Sequence, residues 1–237
     1  MGLTIKKSIK KFLGKVGIYF SKQPHKYDLL IEEIKLNLVK NNKGVLHIGA
    51  HFGQEAEKYY HLNIKVLWLE ALPDNYDKLL TAIANFPDQK AFLSLVGDEN
   101  TDETKFYIAS NQGASSSIFE LGNQIKVKDL RMLESISLPM RRLDSLYKPE
   151  DLTDYKHWIL DVQGAELKVL VGAGKLLQTV NSLEIEVSTR EEYKEASRYS
   201  EIKDFLVTQG FFPLWEPKEN SHEDILFIKI NRLHNNV

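Results

Sequence analysis

An apolar run that ends in a pair of glycines near residue 50 constrains the fold of this chain more than any other feature. The run covers Val45 to Ile48, Gly49 and Gly53 follow four residues apart, and a helical pattern begins at about Gln54. Such a stretch turns sharply from a strand into a helix, and its glycines leave room for a ligand to approach the backbone. We therefore expect an α/β fold that binds a ligand at this loop.

Strand and helix patterns alternate from residue 44 onward. The predicted strands are 45–49, 65–69, 91–96, 157–161 and 182–187, and the predicted helices are 54–61, 73–85, 164–171 and 199–209. Strands separated by helices pair in parallel through right-handed crossovers. The last two strand patterns, 211–215 and 225–230, have no helix between them and predict an antiparallel hairpin. This layout is that of the class I (Rossmann-like) methyltransferase fold, a mostly parallel seven-stranded sheet with an antiparallel C-terminal hairpin strand and helices on both faces.

Charge divides the chain at about residue 43. Residues 1–43 carry ten lysines and three acids, a charge of +7, so the remainder of a chain with net charge −2 carries about −9. We predict a basic helical arm over residues 1–43, with an amphipathic helix in residues 1–20. That helix either contacts an anionic membrane surface or packs on its own domain. Residues 44–237 are expected to form one Rossmann-like domain, with an insertion or lid at about 97–145.

The composition excludes several classes of protein. The chain has no cysteine, which removes disulfides, thiolate metal sites and cysteine nucleophiles. No apolar run approaches the ~20 residues that span a bilayer, and no signal-peptide pattern is present, so we expect a cytoplasmic protein. An acidic body disfavours a nucleic-acid-binding surface, which needs clustered lysines and arginines.

The glycine loop favours a nucleoside ligand that carries no phosphates. A dinucleotide-binding loop has a middle glycine where this chain has His51, and a bulky side chain there hinders a pyrophosphate. The next strand ends at Glu70, whose carboxylate can accept hydrogen bonds from ribose hydroxyls. S-adenosylmethionine is a ligand of this kind. An NAD-dependent oxidoreductase and a non-catalytic docking module with the same fold remain as alternatives.

Acidic residues at strand ends are candidate catalytic groups. Asp161 ends an apolar strand and can act as a general base, a metal ligand or a charge partner of the next helix. Glu186 lies near the end of the following strand and can face the same crevice. Asp98 follows the third strand, where it can accept the adenine amino group or form a turn. His47 and His51 lack a third ligand at metal-binding spacing, so we predict no metal site and interpret His51 as a ligand contact.

Six segments resemble one known family in their order and spacing. They are VLHIGAHFGQEAEKY, VLWLEALPDNYDKL, SNQGASSSI, RRLDSL, LDVQGAELKVLVGAGKLL and EDILFIKI. From about Gly44 to Ile230 the chain resembles the FkbM family of S-adenosylmethionine-dependent methyltransferases. The resemblance implies transfer of a methyl group to a hydroxyl oxygen of a small molecule, sugar or glycan.

The resemblance also implies roles for individual residues. It assigns the methionine part of the cofactor to Gly49, His51, Gly53 and Glu55, and the ribose to Glu70. By the same resemblance, Val96 and Asp98 lie beside the adenine, Ser115, Ser116 and Ser117 approach the cofactor or substrate, and Asp161 and Gln163 line the reacting end.

Two positions depart from the common pattern of that family. Many members carry an acid where His47 stands, and many carry a glutamate where Gln163 stands. The first departure leaves Glu55 as the candidate partner of the cofactor's ammonium group. The second leaves Asp161 as the expected base, with Glu186 or His51 as the alternative.

Overall fold

The structure of the protein is a computed structural model that describes residues 28–124 and 129–230. Within these residues the first element is helix α1, Asp28–Asn41, which lies in the part of the chain predicted as a helical arm. The predicted amphipathic helix over residues 1–20 lies outside the described residues. None of the described helices is both long enough and apolar enough to cross a lipid bilayer.

The chain divides into two compact units, Met1–Leu38 and Val39–Val237. The predicted boundary after residue 43 falls a few residues inside the second unit. The arm and the lid stay predictions, and every site described below belongs to the second unit.

The strands and helices of the second unit follow the predicted alternation. The strands are β1 Gly44–Ile48, β2 Lys65–Glu70, β3 Gln89–Leu93, β4 Leu95–Val96, β5 Thr101–Ala109, β6 Met132–Arg141, β7 His157–Leu160, β8 Ser182–Ser188, β9 Phe211–Pro213 and β10 His222–Lys229. The further helices are α2 Ala56–His61, α3 Pro73–Ile83, α4 Leu143–Leu146, α5 Glu166–Ala173 and α6 Tyr199–Thr208, with 3-10 turns at Pro149–Leu152 and Gly174–Thr179.

Seven strands form the main sheet in the order β3-β2-β1-β7-β8-β10-β9. The first five of these pair in parallel, and β10 runs antiparallel to both of its neighbours, β8 and β9. This arrangement confirms the predicted class I methyltransferase fold. The reversed strand is not at the edge of the sheet, because β10 inserts between β8 and β9.

The central strands are buried on both faces, as parallel strands covered by helices are. Alternate residues enter different apolar clusters: Leu46 and Leu67 belong to one, and Val45 and Val66 belong to the other. The sheet is therefore a rigid platform, and its carboxyl edge holds the loops after β1, β2 and β7 in fixed positions.

The predicted strand at 91–96 is two strands in two sheets. After β3, the backbone N–H of Ser94 donates to the carbonyl of Glu70, and the chain then leaves the main sheet. Leu95 pairs with Met140, so β4 joins β6 and β5 in a separate three-stranded sheet. Strands β5 and β6 lie within the segment 97–145 that was predicted as an insertion.

The C-terminal hairpin forms as predicted, but its second strand begins earlier than expected. The prediction started this strand at Ile225, and β10 starts at His222. His222 pairs with Ser188 and Asp224 pairs with Glu186 on β8. These two polar residues of β10 therefore lie beside the carboxyl end of β8.

Candidate functional site

A cavity of about 190 Å³ opens at the carboxyl ends of β1, β2 and β7. Ligands of open α/β sheets bind at this edge, beside the point where the strand order reverses. Of the predicted site residues, those that line the cavity are Gly49, His51, Glu55, Glu70, Val96, Ser116, Asp161 and Gln163. The predicted residues that do not line it are Gly53, Asp98, Ser115, Ser117 and Glu186.

The loop after β1 is held in place by its contacts with Leu69 at the end of β2 and with Asp161 after β7. Gly49 has a φ of +86°, and a Cβ at this position would lie 1.8 Å from the backbone oxygen of Asp161. The backbone N–H groups of Gly49 and Ala50 both donate to the carbonyl of Leu69. Gly49 is therefore required by the close approach of the loop after β7.

Gly53 has a packing role. Its φ is +69°, and an added Cβ would lie 2.6 Å from the Cδ1 atom of Leu79 on α3. Gly53 is therefore not one of the proposed cofactor contacts, because it packs against helix α3 and does not line the cavity.

Glu70 ties the first loop to the end of β2. Its carboxylate is buried and accepts hydrogen bonds from the backbone N–H of His51 at 2.8 Å and of Leu72 at 2.9 Å. His51 can present its N–H because it adopts a left-handed backbone with φ +48°. Burial raises the pKa of Glu70 to about 7, although the two N–H groups act in the opposite direction.

The two histidines of this loop differ in their surroundings. His47 is buried and stacks on Trp68 with ring centroids 4.8 Å apart, and its Nδ1 atom has no hydrogen-bond partner among the described residues. Burial lowers the pKa of His47 to about 4, so the ring is neutral. The His51 ring contacts the side chain of Gln54 at 2.8 Å and the carbonyl of Gln112 at 3.2 Å.

The loop after β7 is organised by Glu166. Its buried carboxylate accepts hydrogen bonds from the backbone N–H groups of Val162 and Gly164, at 3.0 and 3.1 Å. Burial raises the pKa of Glu166 to about 7. This carboxylate therefore holds the turn between Asp161 and helix α5.

Asp161 and Glu186 form a pair of carboxyl groups linked by Gln163. The side-chain amide of Gln163 donates to Asp161 Oδ1 at 2.5 Å and to Glu186 Oε2 at 2.7 Å. The two carboxyl groups therefore lie against the same amide nitrogen. Burial and the nearby Glu186 raise the pKa of Asp161 well above its usual range. Asp161 faces the cavity, so water there reduces the effect of burial on its pKa. The neighbouring carboxyl group of Glu186 raises this pKa whether or not Asp161 is exposed to water.

Sequence reasoning missed the groups behind this pair. His222 Nε2 lies 2.6 Å from Glu186 Oε1, and its Nδ1 contacts Glu192. The Tyr193 hydroxyl donates to Gln163 Oε1 at 2.6 Å. The shortened prediction for β10 excluded His222, and Glu192 and Tyr193 lie in a segment without periodicity, so only an aligned set of relatives could have revealed them.

The serine segment of the insertion contacts the loop after β7 and Tyr193. The Ser117 hydroxyl donates to the backbone oxygen of Gln163 at 2.8 Å, and the Ser115 carbonyl accepts a hydrogen bond from Tyr193. The hydroxyl of Ser116 lines the cavity and accepts a hydrogen bond from the N–H of Ala109. Ser116 can therefore contact a ligand, while Ser115 and Ser117 hold the insertion against the second loop.

The structure places Asp98 outside the cavity. Its carboxylate pairs with Lys168 Nζ on α5 at 2.8 Å, and its backbone oxygen accepts a hydrogen bond from Arg142. The cavity wall near the expected adenine position is formed by the preceding residues Ser94, Leu95 and Val96. Asp98 is thus not brought together with the other predicted cofactor residues.

The chemistry of the lining fits S-adenosylmethionine. Glu55, Glu70 and Asp161 contribute carboxylates, and no lysine or arginine of the described residues lines the cavity. Carboxylates attract the sulfonium and ammonium charges of this ligand and can accept hydrogen bonds from its ribose. The apolar side of the cavity, which suits an adenine ring, is formed by Leu95, Val96, Phe106 and Ile118.

The described residues contain no candidate metal centre. Within residues 28–124 and 129–230, no group of three or more histidine, aspartate or glutamate side chains could hold a metal ion. The proposed absence of a metal in catalysis stays a prediction.

The fold and the cavity together define a class I methyltransferase. The family model for the methyltransferase FkbM domain matches residues 47–213, which is most of the chain. The chain therefore belongs to the FkbM methyltransferase domain family. The protein is a methyltransferase with S-adenosylmethionine as its cofactor. The family match confirms the predicted family and cofactor. It also decides against the alternative of an NAD-dependent oxidoreductase.

Other comparisons show only distant likenesses. No curated protein matches the chain. Among solved structures, an rRNA methylase from Streptococcus thermophilus has a TM-score of 0.49 at 11% identity and covers 90% of this chain and 100% of its own. Magnesium protoporphyrin IX methyltransferase from Synechocystis, with bound S-adenosylmethionine, has a TM-score of 0.44 at 10% identity, with 95% and 97% covered. Likenesses at this level say nothing about the acceptor of this chain.

Proposed function

We propose that the protein transfers a methyl group from S-adenosylmethionine to a hydroxyl oxygen of an acceptor without negative charge, such as a small molecule, sugar or glycan. The observation that supports this proposal is the lining of the cavity. Glu55, Glu70 and Asp161 supply three carboxyl groups, and the described lining contains no lysine or arginine. A polyanion such as RNA would have no cationic partner in this lining, whereas nucleic-acid sites carry clustered cations.

Asp161 is the proposed general base. An alcohol is a poor nucleophile until its proton is removed, and a positioned carboxylate contributes about 10²- to 10⁴-fold to such a step. Asp161 lies at the end of β7, lines the cavity and is held by Gln163 at 2.5 Å. Glu186, an alternative base in the sequence analysis, does not line the cavity and is better suited to supporting Asp161. His51 is the remaining alternative.

The cofactor residues are assigned by their positions around the cavity. Glu70 is proposed to accept the ribose hydroxyls, and Glu55 is proposed to face the ammonium group, which the neutral His47 cannot attract. The remaining proposed contacts are Gly49, His51, Val96, Ser116 and Gln163. The membrane contact through residues 1–20 and the cytoplasmic location stay predictions.

The test is a methyl-transfer screen with labelled S-adenosylmethionine against neutral sugars, glycans and polyols, with RNA as a parallel acceptor. For an acceptor found in this way, Asp161→Asn should lower kcat by about 10²- to 10⁴-fold, a larger change than its effect on cofactor affinity. Asp77→Asn, at an exposed position of α3, is the matched control and should retain activity. Methylation of RNA alone, or full activity of the Asp161 variant, would contradict the proposal.

A further inference from the structure

A line of hydrogen-bonded charged groups runs from the cavity into the protein behind Asp161. Gln163 Nε2 links Asp161 Oδ1 and Glu186 Oε2, and Glu186 Oε1 contacts His222 Nε2 at 2.6 Å. His222 Nδ1 then contacts Glu192. Buried ion chains cost desolvation free energy, and they rarely add net stability over an apolar core. The position of this chain, with one end in the ligand cavity, points to a role in the chemistry.

The first link is a pair of carboxyl groups that share a proton. Asp161 and Glu186 both accept from the same amide nitrogen of Gln163, at 2.5 and 2.7 Å, so the two carboxyl groups lie side by side. Two neighbouring carboxyl groups do not both ionise freely, so we expect the pair to hold one proton over an extended pH range. The other acids that face the pair, Asp224, Glu166 and Glu70, act in the same direction.

The second link decides which carboxyl group carries that proton. His222 contacts a carboxylate with each of its ring nitrogens, and an imidazole donates from both nitrogens only as an imidazolium. The positive charge of His222 lies 2.6 Å from Glu186 Oε1. Arg190 contacts Glu192 from the other side and compensates its charge. The shared proton therefore belongs on Asp161, the member of the pair that no cation of the described residues contacts and whose pKa is raised.

We propose that His222 and Glu186 are positioning residues that keep the shared proton on Asp161 while the cavity holds no cation, and that Asp161 releases it when a cationic ligand binds. This inference rests on the proposed function, in which Asp161 is the base and the cation is the sulfonium of S-adenosylmethionine. A positive charge beside Asp161 favours its ionised form. The base then becomes active only when the methyl donor is present.

The protons balance over one catalytic cycle. On loading of the cavity, the O–H bond of Asp161 breaks and the proton passes to solvent. During transfer, the O–H bond of the acceptor breaks, its oxygen forms a bond to the methyl carbon, and the electron pair of the broken S–C bond stays on sulfur. Asp161 takes the acceptor's proton and holds it beside the neutral product, S-adenosylhomocysteine, until the next cation binds.

Isothermal titration calorimetry tests this without an acceptor. The full chain is titrated with S-adenosylmethionine and with S-adenosylhomocysteine in two buffers of equal pH and different ionisation enthalpy, over about pH 5–9. The dependence of the binding enthalpy on the buffer gives the number of protons released. We expect the methyl donor to release up to about one proton more than the product at the pH where the pair titrates.

Variants assign that proton to its source. Asp161→Asn should remove most of the difference, which also separates Asp161 from any proton exchanged by the ligand's own amino group. Glu186→Gln should reduce it near neutral pH, because Asp161 without a carboxylate partner ionises at lower pH. His222→Gln should move the difference to higher pH by about one unit, because a cation beside the pair is lost. His61→Gln, at an exposed histidine of α2, is the matched control.

The outcomes separate the inference from the proposed function. Tight binding of both ligands with equal proton release over the whole pH range would overturn the inference and leave the methyltransferase proposal intact. An unchanged profile in both Asp161→Asn and His222→Gln would also overturn it. Failure of the wild-type chain to bind S-adenosylmethionine would contradict the cofactor site itself.

Discussion

At the scale of single residues, Glu70 joins the backbone to the ligand site. One of its carboxylate oxygens accepts the N–H of His51 and the other accepts the N–H of Leu72. A carboxylate has about four acceptor positions, so two remain for ribose hydroxyls. The same group therefore shapes the loop and is available to the cofactor.

Replacement of Glu70 by glutamine should separate these roles from simple packing. The amide is close in size, but its NH₂ group cannot accept the backbone hydrogen bond that one carboxylate oxygen accepts. We expect the affinity for S-adenosylmethionine to fall by about 10- to 100-fold, the range for a hydrogen bond to a charged group. Calorimetry at a temperature where circular dichroism shows a folded variant measures this. Glu57→Gln, at an exposed acid of α2, should bind normally, and equal affinity of both variants would refute the ribose assignment.

Functional residues could be predicted from the sequence where they stand at the end of an apolar strand. Glu70 and Asp161 end apolar strands, so the sequence identified them directly. Glu166 could not be predicted in this way, because a sequence does not show that its side chain turns back to the N–H groups of Val162 and Gly164. Asp98 follows a strand in the same manner as Asp161, yet Lys168 holds it outside the cavity. A strand-end acid is thus a candidate whose direction depends on its neighbours.

At the scale of elements, the ends of β1 and β7 approach each other more closely than a side chain allows. Ile48 pairs with Leu160, and the next residues are Gly49 and Asp161. The cavity depends on this approach, because the two loops that follow form its walls. The glycine loop was predicted to leave room for a ligand. Gly49 also leaves room for the backbone of Asp161 at the end of β7.

Alanine substitutions at two glycines with nearly the same φ should distinguish close approach from backbone conformation. Gly49 has φ +86° with the backbone oxygen of Asp161 in the way, and Gly210 has φ +85° with nothing within 4 Å. Gly210→Ala should cost about 1–2 kcal/mol for the left-handed backbone. Gly49→Ala should cost about 4 kcal/mol or more and impair cofactor binding. Urea unfolding measures both, and equal losses would show that the approach of the strands is unimportant.

Element boundaries were predictable where the hydrophobic period was clear and uncertain where polar residues entered a strand. The prediction for α3 began at the observed residue, because Pro73 marks the first turn. The prediction for β10 began at Ile225 because His222, Glu223 and Asp224 are polar. They still extend the strand, since β8 supplies the hydrogen-bonding partners. Pairing with a distant strand therefore decided where this element begins.

At the scale of the whole molecule, the buried charged groups make stability depend on pH. Burial alone would lower the pKa of His222, but its hydrogen bonds and charge interactions with Glu186 and Glu192 raise it to about 9. A histidine with a raised pKa in the folded state stabilises the protein fully below its ordinary value of 6.5. That contribution is lost as the pH rises through about 9.

The free energy of unfolding should therefore decrease between about pH 6.5 and pH 9. The expected decrease is about 1–2 kcal/mol, which allows for the partial exposure of His222. Urea unfolding at about pH 6, 7.5 and 9 measures it in the wild type and in His222→Gln, where the decrease should be smaller; the part that remains belongs to acids with raised pKa values such as Glu70 and Glu166. The exposed His61→Gln variant should keep the wild-type slope. A decrease of the same size in His222→Gln would assign the pH dependence to other groups.

The sequence by itself determined the strand and helix alternation, the family, the cofactor and the acids at the ends of β2 and β7. These follow from local periods and motif spacing, which short segments carry by themselves. The tertiary structure decided that Gly49 makes room for the strand carrying Asp161, that β10 lies between β8 and β9, and that His222 meets Glu186. Such contacts join residues far apart in the chain, so they arise only from the packing of the sheet. The loop after β1 therefore forms one part of the ligand site, and the neighbouring strands β2 and β7 position the residues that complete it.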